Sequence, residues 1–206
     1  MILAAIPGVE LFFAILIKFF FILTPFFVLS MFIVMTDGMA QRQQQRIARK
    51  TTLAILVICF FFYFLGNYAF SLFGITLDAF RIGAGAILFL TGVNLVMDRD
   101  KDKDPDPAKA GDISVTPLAI PFAVGPGTIG TIMVISAEGH GWQEHLAACL
   151  GIALACLLSG LLLLGAGWVE RLIGKGGIRI LSKLTGLILA ALSAQMIFTG
   201  VKNFLR

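Results

Sequence analysis

Apolar residues gather into six long runs along the chain: Leu11 to Thr36, Thr51 to Phe70, Ala79 to Met97, Ile113 to Ala137, His145 to Val169 and Ile180 to Phe204. A helix needs about 20 apolar residues to cross a bilayer core, and each run is long enough. None shows the short alternating pattern of a barrel strand. The pattern predicts an all-α integral membrane protein with six transmembrane helices.

Composition removes the soluble alternatives. Of 206 residues, 58% are hydrophobic and only 14% charged, with 19 Phe and a mean hydropathy of +0.94. A soluble domain is about a quarter charged, so this chain lacks the polar surface to cover a water-soluble globule. Six spans and short loops use up the length, which excludes a sizeable soluble catalytic domain. Cys59, Cys149 and Cys156 fall inside apolar runs and read as small hydrophobes.

Charge then orients the spans. The loops after runs one, three and five carry 12 basic residues, Arg42, Arg46, Arg49 and Lys50, then Arg99, Lys101, Lys103 and Lys109, then Arg171, Lys175, Arg179 and Lys183. The other side carries 3, namely Arg81, Lys202 and Arg206, and Lys18 lies within run one. By the positive-inside rule both termini face outside, periplasmic for an inner-membrane protein. The net charge of +4 is thus a topology signal, and no nucleic-acid partner is expected.

The polar segment 98–112 divides the chain into a first unit, 1–97, and a second, 113–206, and reads as a cytoplasmic linker. The units share signals. Thr24-Pro25 precedes Thr36-Asp37-Gly38 as Thr116-Pro117 precedes Thr128-Ile129-Gly130, and Gly85 and Asn94 match Gly186 and Gln195 at a longer offset. Because each unit has three spans, the second copy must enter the membrane inverted. Such repeats characterise transporters, with the site near the midplane where the copies meet.

The candidate site lies at interruptions in runs one and four. Thr24-Pro25 sits near the centre of the first, and Pro117, Pro121 and Gly125-Pro126-Gly127 interrupt the other. Proline lacks an N–H and clashes with the preceding turn, so a helix breaks there and can restart with Pro at its first position. A restarted half-helix aims free N–H groups and a positive dipole end at the cavity, suited to a carboxylate. Unwound carbonyls near Gly125 to Gly127 suit an ammonium group. The expected substrate-binding residues are Thr24, Pro25, Ser30, Asn94, Gly125, Pro126, Gly127, Thr128 and Gln195. Gly127→Val is expected to abolish transport without unfolding the protein. The stripes Gly151, Ala155, Ser159 and Gly186, Ala190, Ala194 read as packing seams, with a homo-oligomer contact as an alternative. The loop Glu138 to His145 reads as interfacial and anchored by Trp142. No catalytic constellation, metal set or cofactor motif is present, so an enzyme is not expected.

Two stretches, TPLAIPFAVGPGTIGTIMVIS from Thr116 to Ser136 and AFRIGAGAILFLTGVNLVM from Ala79 to Met97, resemble the MarC family of six-span inner-membrane proteins. The resemblance runs from about Phe21 to Phe204. Some family members, called SnatA, are described as transporters of small neutral amino acids such as glycine and alanine, and the resemblance implies that activity here. The family usually has Asp or Asn before the first Pro and another Pro five residues later; this chain has Thr24 and Ser30 there. The expectation is a secondary transporter in the lipid bilayer, with proton or sodium as a possible coupling cation. A channel and a non-transporting scaffold are the alternatives.

Overall fold

The computed structural model describes residues 7–97, 114, 118–139 and 141–205. The linker 98–112, Thr116-Pro117 and His140 therefore lie outside the described residues. Among the described residues, seven α-helices and one short π-helical segment kinked at the extended Ile120 make up the fold: α1 (Pro7–Ile22), α2 (Pro25–Met35), α3 (Gln41–Phe73), α4 (Leu77–Met97), the π-helical segment Leu118–Ala123, α5 (Pro126–Glu138), α6 (Trp142–Leu164) and α7 (Ala166–Phe204). No strand occurs among the described residues.

Among the described residues, five stretches are long and apolar enough to cross a membrane: Glu10–Met35, Gln41–Leu65, Leu77–Met97, Trp142–Leu164 and Ala166–Phe204. The first comprises α1 and α2, interrupted at Leu23 and Thr24. The fourth predicted run is not one span-length helix but two short pieces, the π-helical segment and α5, separated at Val124 and Gly125. Proline at the first position of α2 and of α5 explains both restarts, because Pro25 and Pro126 cannot donate to a helix arriving from before them. Three helices differ from the hydropathy pattern. α3 begins ten residues before its apolar run, because nothing in Gln41 to Lys50 breaks a helix. α6 stops at Gly165, and α7 bends at Gly174, whose φ of 68° favours glycine.

The main core lies between α1, α2, α3, α5, α6 and the π-helical segment, around Phe19, Phe32, Ile55, Leu118, Ile132 and Ile152. Leu53, Phe64, Leu161 and Phe198 face outward. Outward apolar residues suit a protein whose surroundings are hydrocarbon, so association between the helices relies on close packing. Glycine provides that closeness between α4 and α7. A Cβ on Gly92 would lie 2.7 Å from the Gly186 carbonyl oxygen, and one on Gly186 would lie 2.7 Å from that of Gly92. Both small-residue stripes serve contacts within the chain: Gly151 lies against Ile15 and Phe12 of α1, and Gly186 against α4.

Gly92→Val is expected to destabilise the protein by about 1–3 kcal/mol, as overpacking does. Gly83→Ala, on the same helix with open space around it, should leave the melting temperature unchanged or raised. Thermal unfolding of the detergent-purified variants measures both; equal stability of the two would refute the tight α4–α7 crossing.

Candidate functional site

The two interruptions meet. Thr24 is buried, and its hydroxyl donates to the Phe122 carbonyl at 3.3 Å, joining the first break to the end of the π-helical segment. The Thr128 hydroxyl, in the first turn of α5, lies 3.5 Å from the Ile22 carbonyl oxygen and 3.4 Å from that of Ala123. Phe27 and Phe122 pack edge to face across the junction, with ring centroids 5.5 Å apart.

A cavity of about 210 Å³ opens beside this junction. Ile22, Thr24 and Phe27 line it from the first break, Phe122 and Gly125 to Thr128 from the second, and Leu88, Thr91, Asn94 and Leu95 from α4. The volume is below the ~300–1,000 Å³ typical of drug-sized ligand sites, so a small solute is the guest that fits. No described lining side chain carries a charge, which favours a guest without net charge. The Asn94 amide is half-buried and has no hydrogen bond to a described residue, so its donors and acceptor are available.

The backbone adds further polar groups. The first intrahelical bonds of the restarted helices run from Val28 N–H to Thr24 and from Ile129 N–H to Gly125. The amides of Phe26, Phe27, Gly127 and Thr128 precede those bonds and are the orphan donors of two helix N-termini. Both positive dipole ends thus begin at the cavity.

Six of the nine expected residues line the cavity: Thr24, Asn94, Gly125, Pro126, Gly127 and Thr128. Pro25 does not; it is buried behind Thr24 as the first residue of α2. Ser30 lies one turn beyond Phe27, outside the lining. Gln195 is exposed, because the buried face of α7 runs through Leu189, Ser193, Met196 and Gly200 and leaves position 195 off it. Thr91, Phe27 and Phe122 were not singled out. Thr91 precedes Asn94 by three residues on one helix face, a spacing that could have revealed it.

Gly127 has a packing role that the sequence hid. A Cβ there would come within 3.0 Å of the Leu88 Cα, so Gly127→Val would strain the α4–α5 contact instead of testing the cavity alone.

Outside the cavity, Arg81 binds Asp78 and Glu138, each at 2.6 Å, and Asn203 donates to Asp78 at 3.3 Å. These contacts tie together the start of α4, the end of α5 and the end of α7. The Tyr63 hydroxyl bonds to His145 Nδ1 at 2.8 Å, and Trp142 is exposed. No group of metal-ligating side chains occurs among the described residues. Lys18 is half-buried and has no ion pair there, with Glu10 or any other described carboxylate.

The two breaks differ in conformation. Gly125 is extended, with φ −87° and ψ 176°, as residues before proline usually are. Thr24 is left-handed, with φ 49° and ψ 50°, the one such non-glycine residue among those described. That conformation costs an ordinary residue about 1–2 kcal/mol and costs Asn or Asp less. The Asp or Asn expected here from family resemblance suits this backbone. Thr24→Asn is therefore expected to raise the melting temperature by about 2–4 °C. Thr24→Val, which keeps the strain and loses the hydroxyl bond, should lower it. Thermal unfolding of both variants checks this, and a reversed order would contradict the left-handed assignment.

The sequence model of the MarC family integral membrane proteins matches residues 9–205. Similar relatives include the UPF0056 membrane protein MJ1677 of Methanocaldococcus jannaschii, 34% identical over 90% of this chain and 93% of that one. YvbG of Bacillus subtilis is 32% identical over 69% of this chain and 71% of its own length. YhcE of Escherichia coli is 28% identical over 93% and 92%. No solved structure matches significantly. With nearly the whole chain matched, a multi-pass apolar helical fold and two broken segments, the protein belongs to the MarC family of integral membrane proteins.

Proposed function

We propose that the protein is a secondary transporter that carries small neutral amino acids, of the glycine and alanine type, across the inner membrane by alternating access between two inverted three-helix units. The observation that carries this reading is the uncharged cavity of about 210 Å³ at the meeting of two broken segments. There, four helix-start amides suit a carboxylate and helix-end carbonyls suit an ammonium group. A guest held mainly by backbone needs no large side chain of its own to fill the space.

The duplication is supported by one register. Ile22 and Ala123 end the first pieces, Pro25 and Pro126 begin the second, and Gln41 and Trp142 begin the next helices, each pair 101 residues apart. Gly85 and Gly186, and Asn94 and Gln195, have the same spacing. Thr24 thus pairs with Gly125, not with Thr116. The α4–α7 contacts follow this relation: Gly85 lies against Ser193 and Ile197, and Gly186 against Gly92 and Val96. Exchanging each residue for its counterpart turns one contact into the other, the behaviour expected around a twofold axis.

In this reading the cavity opens toward the linker end, because its α4 lining lies between Leu88 and the Met97 terminus. The Arg81 cluster closes the other end. Charge sorting assigns the linker side to the cytoplasm and both termini to the outside.

Purified protein in proteoliposomes should take up labelled glycine and alanine saturably and with counterflow. Asn94→Leu should reduce uptake about tenfold without changing the melting temperature, as loss of one hydrogen-bonding partner does. Single-channel conductance would instead indicate a pore, and a co-purifying partner without solute movement would indicate a scaffold.

Arg81→Gln should weaken closure at the outer end. Ion pairs near the surface are each worth about 0–1 kcal/mol, so losing both shifts the balance between states by at most roughly thirtyfold. The expected readout is a changed apparent affinity for solute added outside. Unchanged affinity from both sides would remove Arg81 from gating.

A further inference from the structure

We propose that the Thr128 hydroxyl and the carbonyls of Ile22 and Ala123 form a subsite for a monovalent cation, either a sodium ion or the ammonium group of the carried solute. Its purpose rests on the transporter reading above, while its binding test does not.

The inference follows from hydrogen-bond supply. Ile22 ends α1 and Ala123 ends the π-helical segment, so the breaks remove the N–H that a continuous helix would bring to each carbonyl. Among the described residues no backbone N–H reaches either oxygen, and their shared partner is the Thr128 hydroxyl. One hydroxyl carries one hydrogen and cannot satisfy two carbonyls together. Both separations, 3.5 and 3.4 Å, also exceed the ~2.5–3.0 Å usual for O–H···O bonds. Buried carbonyls normally have donors, so this junction has acceptors in excess.

Its surroundings specify the missing donor. Thr128 is only 5% exposed, and Thr128 and Ile22 both line the cavity, which places the junction at the cavity wall. The Ile22 carbonyl lies at the negative end of α1, which favours positive charge. The neighbouring Thr24 hydroxyl gives its hydrogen to Phe122 and retains lone pairs as further acceptors. Among the described residues, no carboxylate, imidazole or thiol lines the cavity. Divalent calcium and magnesium commonly draw on carboxylates, and softer metals on nitrogen or sulfur, so neutral oxygens alone suit a single positive charge. An ammonium group held here would leave the solute's carboxylate for the orphan amides of α2 and α5.

Thermal unfolding of the purified full chain tests the subsite without transport. Sodium chloride is compared with choline chloride at equal ionic strength, and glycinamide hydrochloride, which has the ammonium but no carboxylate, with choline chloride. A probe that occupies the subsite should raise the melting temperature by about 3–6 °C at about ten times its dissociation constant. Thr128→Ser should keep the rise and Thr128→Val should lose it. A sodium response alone assigns the subsite to a coupling ion, and a glycinamide response alone assigns it to the solute. The proposal is overturned if neither probe shifts the wild-type protein, or if the shift persists in Thr128→Val. A Thr128-dependent shift without uptake of any amino acid would leave the subsite standing and refute the transporter reading.

Discussion

Backbone polar groups released inside an apolar fold must find partners within the protein, and this constraint organises the region around the two helix breaks. A continuous membrane helix satisfies itself; an interrupted one exposes amides on one side of the gap and carbonyls on the other. Here the two gaps are placed together. Thr24 of the first break donates to Phe122 of the second segment, and Thr128 of the second reaches Ile22 of the first. Neither break is completed by its own segment alone.

Close helix packing makes this meeting possible. Gly92 faces Gly186, Gly130 lies against Ala84, Gly127 against Leu88 and Gly151 against Ile15, so the surrounding helices approach to backbone distance. With hydrocarbon outside and no aqueous hydrophobic force between spans, such contacts supply much of the association. The same closeness leaves only a small space at the junction. Packing and the size of the guest are therefore linked through the same glycines.

The asymmetry between the breaks gives the arrangement a direction. Both restart at a proline, yet Thr24 is left-handed and Gly125 extended. The cavity extends along α4 toward Met97, whereas Arg81, Asp78, Glu138 and Asn203 join three helix ends at the opposite side. Strain held in a residue next to a binding cavity is a common feature of sites that change conformation. A backbone-lined cavity with neutral walls can accommodate a zwitterion because opposite dipole ends meet there.

Hydropathy alone determined the membrane setting, the helical class and the approximate extents of the spans. Pro25 and the Gly125-Pro126-Gly127 segment located both interruptions, since the chemistry of proline acts locally and needs no tertiary partner. The sequence did not determine which break faces which, because nearly uniform apolar runs lack the polar stripe that would mark their inner faces. Thr24 consequently matched Thr116 by local pattern, whereas the helix boundaries relate it to Gly125. Asn94 and Gln195 look alike in sequence, and only the packing of α4 and α7 turns one toward the cavity and the other to the surface. Phe27 and Phe122 became visible for the same reason. Where a helix stops is written in its own residues, whereas what its unpaired ends face depends on contacts between segments distant in the chain.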